Sequence, residues 1–428
     1  MRVLWLSMAN TLFNEKGDRA YNGKGWIASL QDAVMKYAGD DIQLGVAFLS
    51  KEAAGPLQQD NVMYYPIRKQ APEGIRKLFA NWTGGHTEDY TSDISRIIRD
   101  FRPDLMQIFG CESKLASAIL SCREIPSVIH IQGILTEYIP HFFPPGTGRK
   151  DMVTGKTFFN EVILNNGYRH LFRDYTVRAV TEKKCLEAAG YIMGRTEWDK
   201  DSTGKYSKAR YFHVDEVLRE DFYSMAGKYG SGHSNSEKKI HLISTISPAP
   251  YKGLDLILRT AGLLKGSGYD VTWDVIGISS EAGIRDIFEK KTGICASENG
   301  IRFLGVLDTK GLVKALTDAE IYVHPSYIEN SPNSVCEAQM LGMPVIATDA
   351  GGTSTLVHDG EDGVIVRCGD PGHMCENIIR LHSDLSLRER IGRAAASAAS
   401  ERHDRRKIVE ELKKAYSSIL TESGQHGL

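Results

Sequence analysis

Short apolar, β-branched runs alternate with stretches of helical periodicity along nearly the whole chain, and this alternation restricts it to an α/β architecture of mostly parallel sheets. The runs 2–7 (RVLWLS), 42–49, 62–67, 105–109, 127–131 and 191–194 read as strands, with helical patterns at 24–38 and 92–101 between them. After a polar Gly/Ser segment at 224–239 a second series follows at 241–246, 271–277, 301–305, 321–324, 344–348 and 363–366. Its helices are expected near 252–265, 281–290, 308–318 and 332–341. A chain of 428 residues exceeds one ordinary core, so two domains are expected. The boundaries predicted are a first domain over 1–215, a linker over 216–239, a second domain over 240–400 and a terminal segment over 401–428. That segment's helix, 405–420, is amphipathic and needs an apolar surface to cover.

Composition removes several function classes. A net charge of -2 gives no field to recruit nucleic acid. No run of about 20 apolar residues spans a bilayer, and the apolar N-terminal run is too short for a signal peptide, so a cytoplasmic protein is expected. The seven cysteines include no Cys-x-x-Cys pair and read as reduced, mostly buried thiols, so no metal site is expected from them.

In open parallel sheets ligands bind beyond the carboxyl ends of the strands. The segment 324–352 (HPSYIENSPNSVCEAQMLGMPVIATDAGG) fills such a place. Its strand enters a loop with Glu329 and Asn330. Ser331 as N-cap and Pro332 at the first helical position then start a helix that Gly342 and Pro344 stop. The N–H groups near Asn333, Ser334 and Val335 suit a phosphate, and Glu337 suits vicinal hydroxyls such as those of a ribose.

Glu329, Glu337, Ala338, Gly342, Pro344-Val345 and Gly351-Gly352, in this spacing, closely resemble the signature of retaining glycosyltransferase family 4, the glycosyl transferases group 1. YKGLDLIL (251–258), RFLGVLD (302–308) and AEIYVHPS (319–326) extend the likeness. The resemblance implies a GT-B fold, two Rossmann-like parallel-sheet domains facing across a cleft, with the terminal helix packed on the first. It implies a donor nucleoside-diphosphate sugar on the second domain: Glu329 by the transferred sugar, Glu337 on the ribose, Lys252 on the diphosphate, Gly305 and Val306 around the base. It implies no metal and no separate cofactor.

The first domain is less specific. Gly23 and Gly25 precede a helix, but they lie too far beyond the first strand for a dinucleotide fingerprint, and Ala28 occupies the third glycine position. The family uses a glycine-rich loop here, which makes Gly25 a candidate contact. His130 resembles the histidine that related transferases place beside the reaction centre; a hydrogen-bonded core histidine is the alternative. Asp199 and Asp201 form an Asp-x-Asp pair that reads as a solvated helix face. Where the family has an arginine ahead of its Lys-Gly lysine, this chain has Ser247. Arg195, just after the strand at 191–194, is a candidate replacement cation, the alternative being an arginine paired with a carboxylate.

The activity implied is retaining transfer of a sugar from a nucleotide-sugar donor to a glycan or lipid-linked acceptor, in cell-surface polysaccharide biosynthesis. A non-catalytic nucleotide-sugar or glycan-binding protein and a nucleotide-sugar epimerase are the other readings. The basic residues Arg68, Lys69, Arg76, Lys77, Arg169 and Arg173 are candidates for a lipid-linked acceptor's phosphate or a peripheral membrane contact at the inner face, with solvated surface charge as the alternative.

Overall fold

The structure, a computed structural model, describes residues 1–13, 25–51, 55–70, 72–83, 88–229 and 238–426. Two compact units emerge: one of Met1–Ile139, Arg173–Val217 and His403–Leu428, the other of Pro140–Phe172 and Leu218–Arg402.

The first unit holds β1 (Arg2–Ser7), β2 (Gln43–Ser50), β3 (Leu57–Gln59), β4 (Val62–Arg68), β5 (Leu105–Phe109), β6 (Ser127–His130), β7 (Tyr191–Gly194) and β8 (Arg210–His213). They form one sheet in the order β3-β4-β2-β1-β5-β6-β7-β8, parallel except for the β3–β4 pair. Inner strands are covered on both faces, which is why β1 reads as an unbroken apolar run: Val3, Leu4, Trp5 and Leu6 are all fully buried. β3 and β8 escape the sequence reading because they are short edge strands with largely exposed or half-exposed residues, without a buried pattern. The final helix, Arg405–His426, belongs to this unit and packs on the Gly25–Tyr37 helix, burying Ile408, Val409, Leu412, Tyr416 and Ile419.

The second unit holds β9 (Lys239–Thr245), β10 (Asp270–Ile276), β11 (Ile301–Gly305), β12 (Ile321–His324), β13 (Val345–Thr348) and β14 (Val364–Val366), all parallel, in the order β11-β10-β9-β12-β13-β14. The strand order reverses between β9 and β12, so the crevice at their carboxyl ends is the place for a ligand.

Three parts of the chain differ from the sequence reading. Residues 140–172 pack with the second unit although they fall within 1–215. The stretch 218–229 is not a loose linker: Leu218 and Phe222 are buried in the second core, and the Tyr229 hydroxyl donates to the carbonyls of Ala319 at 3.1 Å and Glu320 at 2.6 Å. Asp199 is not a solvated charge. It is fully buried and closes a capping box, its backbone N–H donating to Thr196 Oγ1 at 3.1 Å while its carboxylate accepts from the backbone N–H of Thr196 and, at 2.8 Å, of Arg195.

Candidate active site

The cluster of Lys252, Glu329 and Asn330 sits at the β9/β12 switch point. β9 ends at Thr245, and the following turn delivers Lys252 from a short 3-10 helix, Pro250–Lys252. Gly253 then takes φ +79°, and a Cβ there would come within 2.1 Å of the Pro325 carbonyl, so only glycine lets the two strand-end loops touch. The Tyr327 N–H donates to the Tyr251 carbonyl at 2.8 Å, and the Tyr327 hydroxyl to Asp255 at 2.8 Å. Gly351, at φ +57°, closes the other side, where a Cβ would collide with the Glu329 carbonyl; the Gly352 N–H donates to that carbonyl at 3.0 Å.

Thus held, Lys252 and Glu329 meet. Lys252 Nζ lies 2.6 Å from Glu329 Oε1, Ser326 Oγ donates to the same oxygen at 2.7 Å, and His324 Nε2 stands 3.3 Å away without the alignment of a hydrogen bond. Burial by itself would raise the Glu329 carboxyl, but the charge of Lys252 and the neighbouring His324 override it and hold the group well below the usual carboxylate range. Glu329 is therefore an ionised, oriented acceptor that carries no proton to give. Next to it, Asn330 is 2% exposed and neither its amide oxygen nor its nitrogen has a hydrogen-bond partner. An orphaned buried amide is costly unless a ligand completes it.

The helix Asn333–Leu341 starts one residue later than expected. Pro332, not Ser331, is the N-cap, its carbonyl accepting from the Val335 N–H at 2.9 Å. Proline has no N–H to satisfy, so its extended backbone ends the loop and starts the first turn. Ser331 and Val335 are buried, with Asn333 and Ser334 half-buried at the helix mouth.

Glu337, farther along this helix, accepts from Arg219 Nε at 2.8 Å and pairs with the second guanidinium nitrogen at 2.7 Å. Arg219 also donates to Thr309 Oγ1 at 3.4 Å. Sequence reasoning missed Arg219 because it lies in a segment read as a linker; its signal is a cation wedged between the buried apolar residues Leu218 and Phe222. Gly305 takes φ +65° at the end of β11, Val306 follows in an exposed loop, and Ser247 is exposed beyond β9.

In the first unit, Gly25 opens its helix at φ +70°; Gly23 lies outside the described residues. His130 ends β6, fully buried, with its Nδ1 3.1 Å from Gln107 Nε2, Phe109 stacked on its ring and Trp26 at its edge. Burial, then the charge of Arg195, push it well below its ordinary value against Glu216 and the Val214 backbone, so the ring is neutral. Arg195 is 3% exposed, 3.4 Å from Glu216 Oε2, with its guanidinium 4.6 Å from the Trp26 ring centre. Of the two roles left open for Arg195, this is the carboxylate-paired one, while in the second unit Lys252 pairs with Glu329 and Arg219 with Glu337.

Residues 237–384 match the family Glycosyl transferases group 1. They form a glycosyl transferases group 1 domain. That domain carries Lys252, Glu329 and Glu337, the residues on which the resemblance rested. Among curated relatives, the capsular polysaccharide biosynthesis glycosyltransferase CapM of Staphylococcus aureus is 31% identical over 180 residues, 40% of this chain and 44% of that protein. A D-inositol 3-phosphate glycosyltransferase of Paenarthrobacter aurescens is 27% identical over 227 residues, 51% and 55% of the two chains. The chain thus spans about half the length of the curated relatives it matches. The fold likeness extends beyond the group 1 domain. Sucrose-phosphate synthase of Thermosynechococcus elongatus superposes with a TM-score of 0.68 at 14% identity, covering 98% of this chain and 99% of that one. Anabaena HepE, solved with UDP and glucose, gives 0.63 at 16%, covering 98% and 100%. The two parallel-sheet units are those of a GT-B fold.

No helix among the described residues is long and apolar enough to cross a membrane. The cysteines there form no disulfide; most are buried, and Cys368 is exposed.

Proposed function

We propose that this protein is a retaining glycosyltransferase that moves a sugar from a nucleoside-diphosphate donor to a glycan or lipid-linked acceptor in cell-surface polysaccharide assembly. The observation that carries this reading is the Lys252–Glu329 pair, buried at the switch point of a group 1 domain. A relative's naming for capsular polysaccharide biosynthesis and a fold neighbour's UDP and glucose agree with it.

In this reading the donor's ribose lies against Glu337, with Arg219 fixing the carboxylate. The diphosphate takes the helix mouth at Asn333–Val335 and draws Lys252 toward it, so leaving-group charge is stabilised by an ammonium and a helix terminus. Glu329, released from part of its ion pair, accepts hydroxyls of the transferred sugar, and the Asn330 amide gains its partners. The acceptor attacks from the face the leaving diphosphate departs, and a diphosphate oxygen takes its proton. No metal is required. Incubating the pure chain with UDP-, GDP- and ADP-sugars and following nucleotide release tests this; proton NMR of the product gives the anomeric outcome. Tight nucleotide binding without release or transfer would favour the non-catalytic binding protein, and epimerised sugar would favour the epimerase.

The acceptor's lipid has a matching surface. The helix Gly74–Thr83 exposes Ile75 (87%), Phe79 (70%) and Trp82 (53%) beside the exposed cations Arg76 and Lys77. An apolar, basic helix of this kind suits the interface of an anionic bilayer. We propose a peripheral contact there.

A further inference from the structure

β5 is an apolar inner strand with one polar exception. Gln107 is fully buried, and its register partner on β1 is Trp5. Two register positions farther along, Phe109 faces His130 on β6. Tyr416, from the terminal helix, reaches this neighbourhood and is itself fully buried.

Four side chains form a single hydrogen-bonded row. The Trp5 indole N–H donates to the Tyr416 hydroxyl oxygen at 3.1 Å, the Tyr416 hydroxyl donates to Gln107 Oε1, and Gln107 Nε2 contacts His130 Nδ1 at 3.1 Å. With the Gln107 amide oxygen toward Tyr416 and its nitrogen toward His130, the row has one proton arrangement. An indole N–H can only donate, so Tyr416 accepts from it and must place its own proton on another acceptor. Gln107 Oε1 is that acceptor, which turns the amide nitrogen toward His130. An amide nitrogen can only donate, so Nδ1 must be the bare nitrogen and the ring proton sits on Nε2. His130 Nε2 is buried and makes no hydrogen bond. The row therefore begins at a donor with no alternative and ends at a buried nitrogen with no aligned hydrogen bond, the Val214 backbone lying nearby.

We propose that Tyr416 and Gln107 are positioning residues that hold His130 in the tautomer with its proton on Nε2, so that this histidine meets a substrate oxygen as a hydrogen-bond donor and not as a base. The inference rests on the glycosyltransferase reading for what His130 touches, but the tautomer stands independently of it. One consequence for mechanism is direct. With Nε2 protonated and Nδ1 committed to Gln107, His130 has no site to take the acceptor's proton.

The test uses the full-length chain with isotope-labelled histidine. Long-range nitrogen–carbon NMR correlations should report His130 with Nε2 protonated in the parent. In Tyr416→Phe the amide is free to turn over and the signal should become a mixture of tautomers, with kcat lowered by about 2–10-fold and the donor KM unchanged. Gln107→Glu supplies the sharper readout. When its carboxyl is protonated it can replace the amide, accepting from Tyr416 and donating to Nδ1; when ionised it can only accept, and draws the ring proton to Nδ1. This variant alone should gain a new pH dependence in kcat, falling as pH rises, with the tautomer changing over the same interval. A parent protonated on Nδ1, or a Gln107→Glu variant whose tautomer ignores pH, would overturn the proposal. Unchanged turnover in His130→Ala would remove His130 from the reaction while the tautomer measurements still judged the row.

Discussion

The Lys252–Glu329 and Arg219–Glu337 pairs of the second unit and the His130 row of the first place polar side chains in different ways, although the first unit also buries an ion pair, Arg195 with Glu216, close to that row. In the second, charge is buried against charge: Lys252 against Glu329 and Arg219 against Glu337, on loops that glycines bring into contact. In the first, the row ending at His130 is neutral, and its members come from β1, β5, β6 and the terminal helix, with up to 411 positions between partners. Ion pairs hold a diphosphate's counter-charge ready, whereas a neutral row fixes a direction without offering charge. In the proposed reading, the difference teaches that the second unit's pairs would stabilise a charged leaving group and the first unit's row would orient an uncharged oxygen.

The largest effect should come from breaking the first ion pair. Lys252→Ala should lower turnover by about 10³-fold, as for loss of a main stabiliser of transition-state charge. It also leaves Glu329 buried alone, at a cost of about 3–5 kcal/mol. The double variant Lys252→Met/Glu329→Gln separates the two effects: the melting temperature should recover much of its loss while turnover stays low. Recovery of turnover as well would mean that the pair is structural and that the contrast between the units is misplaced.

A second prediction concerns binding. Glu337→Ala and Arg219→Ala should each weaken nucleoside-diphosphate binding by about 10–100-fold, since a charged hydrogen bond contributes roughly 1.5–3 kcal/mol. The double variant should lose little more than either single one. Additive losses by calorimetry would show that Arg219 contacts the nucleotide itself.

The same contrast explains how much was legible in the sequence. The second unit's strands follow from local patterns, because strand ends and helix starts are written in contiguous residues, whereas the roles suggested for Lys252, Glu329 and Glu337 rest on the family resemblance. Ser331 was misplaced by one position, because a serine before proline signals a cap whether or not its hydroxyl makes the bond. Asp199 was misread as solvated, because a Thr-x-x-Asp capping box and an exposed Asp-x-Asp pair share one sequence. Gln107 gave a signal, a polar residue in an apolar strand, but its partner Tyr416 lies 309 positions away and nothing local points to it.

The proposed membrane contact lies on the first unit, and its effect should be more modest. Replacing Phe79 and Trp82 together by serine should release the chain from phosphatidylglycerol vesicles, at about 1.5–3 kcal/mol per apolar side chain if fully buried there. Turnover on a soluble acceptor analogue should hold steady. Binding of the parent to neutral phosphatidylcholine as strong as to the anionic vesicles would remove Arg76 and Lys77 from the account.

The smallest effect is a pH dependence of stability that has opposite sign in the two units. Glu112, two residues beyond the turn at Gly110, has a carboxyl oxygen that is buried without a partner, and burial, reinforced by Glu182, pushes its carboxyl up to about 7 against the opposing charge of Arg178 and Arg195. The folded chain thus binds a proton there that the unfolded chain has already released, so stability falls as pH rises from about 4.3 to about 7 and then levels off. Glu329 runs the other way. Its carboxyl is depressed on folding, so its contribution is complete above the ordinary carboxylate value and is lost only in stronger acid. Glu112→Gln should therefore match the parent in melting temperature near pH 4 and exceed it at pH 8, by about 1–3 kcal/mol once its partial exposure is allowed for. Glu329→Gln should be less stable than the parent at both pH values, by a similar amount at each. If Glu112→Gln showed a constant offset between pH 4 and 8, the Glu112 carboxyl would be titrating in its ordinary range. The contrast would then reduce to one between a charged pocket and a neutral row, with no titrating carboxylate on the first unit's side.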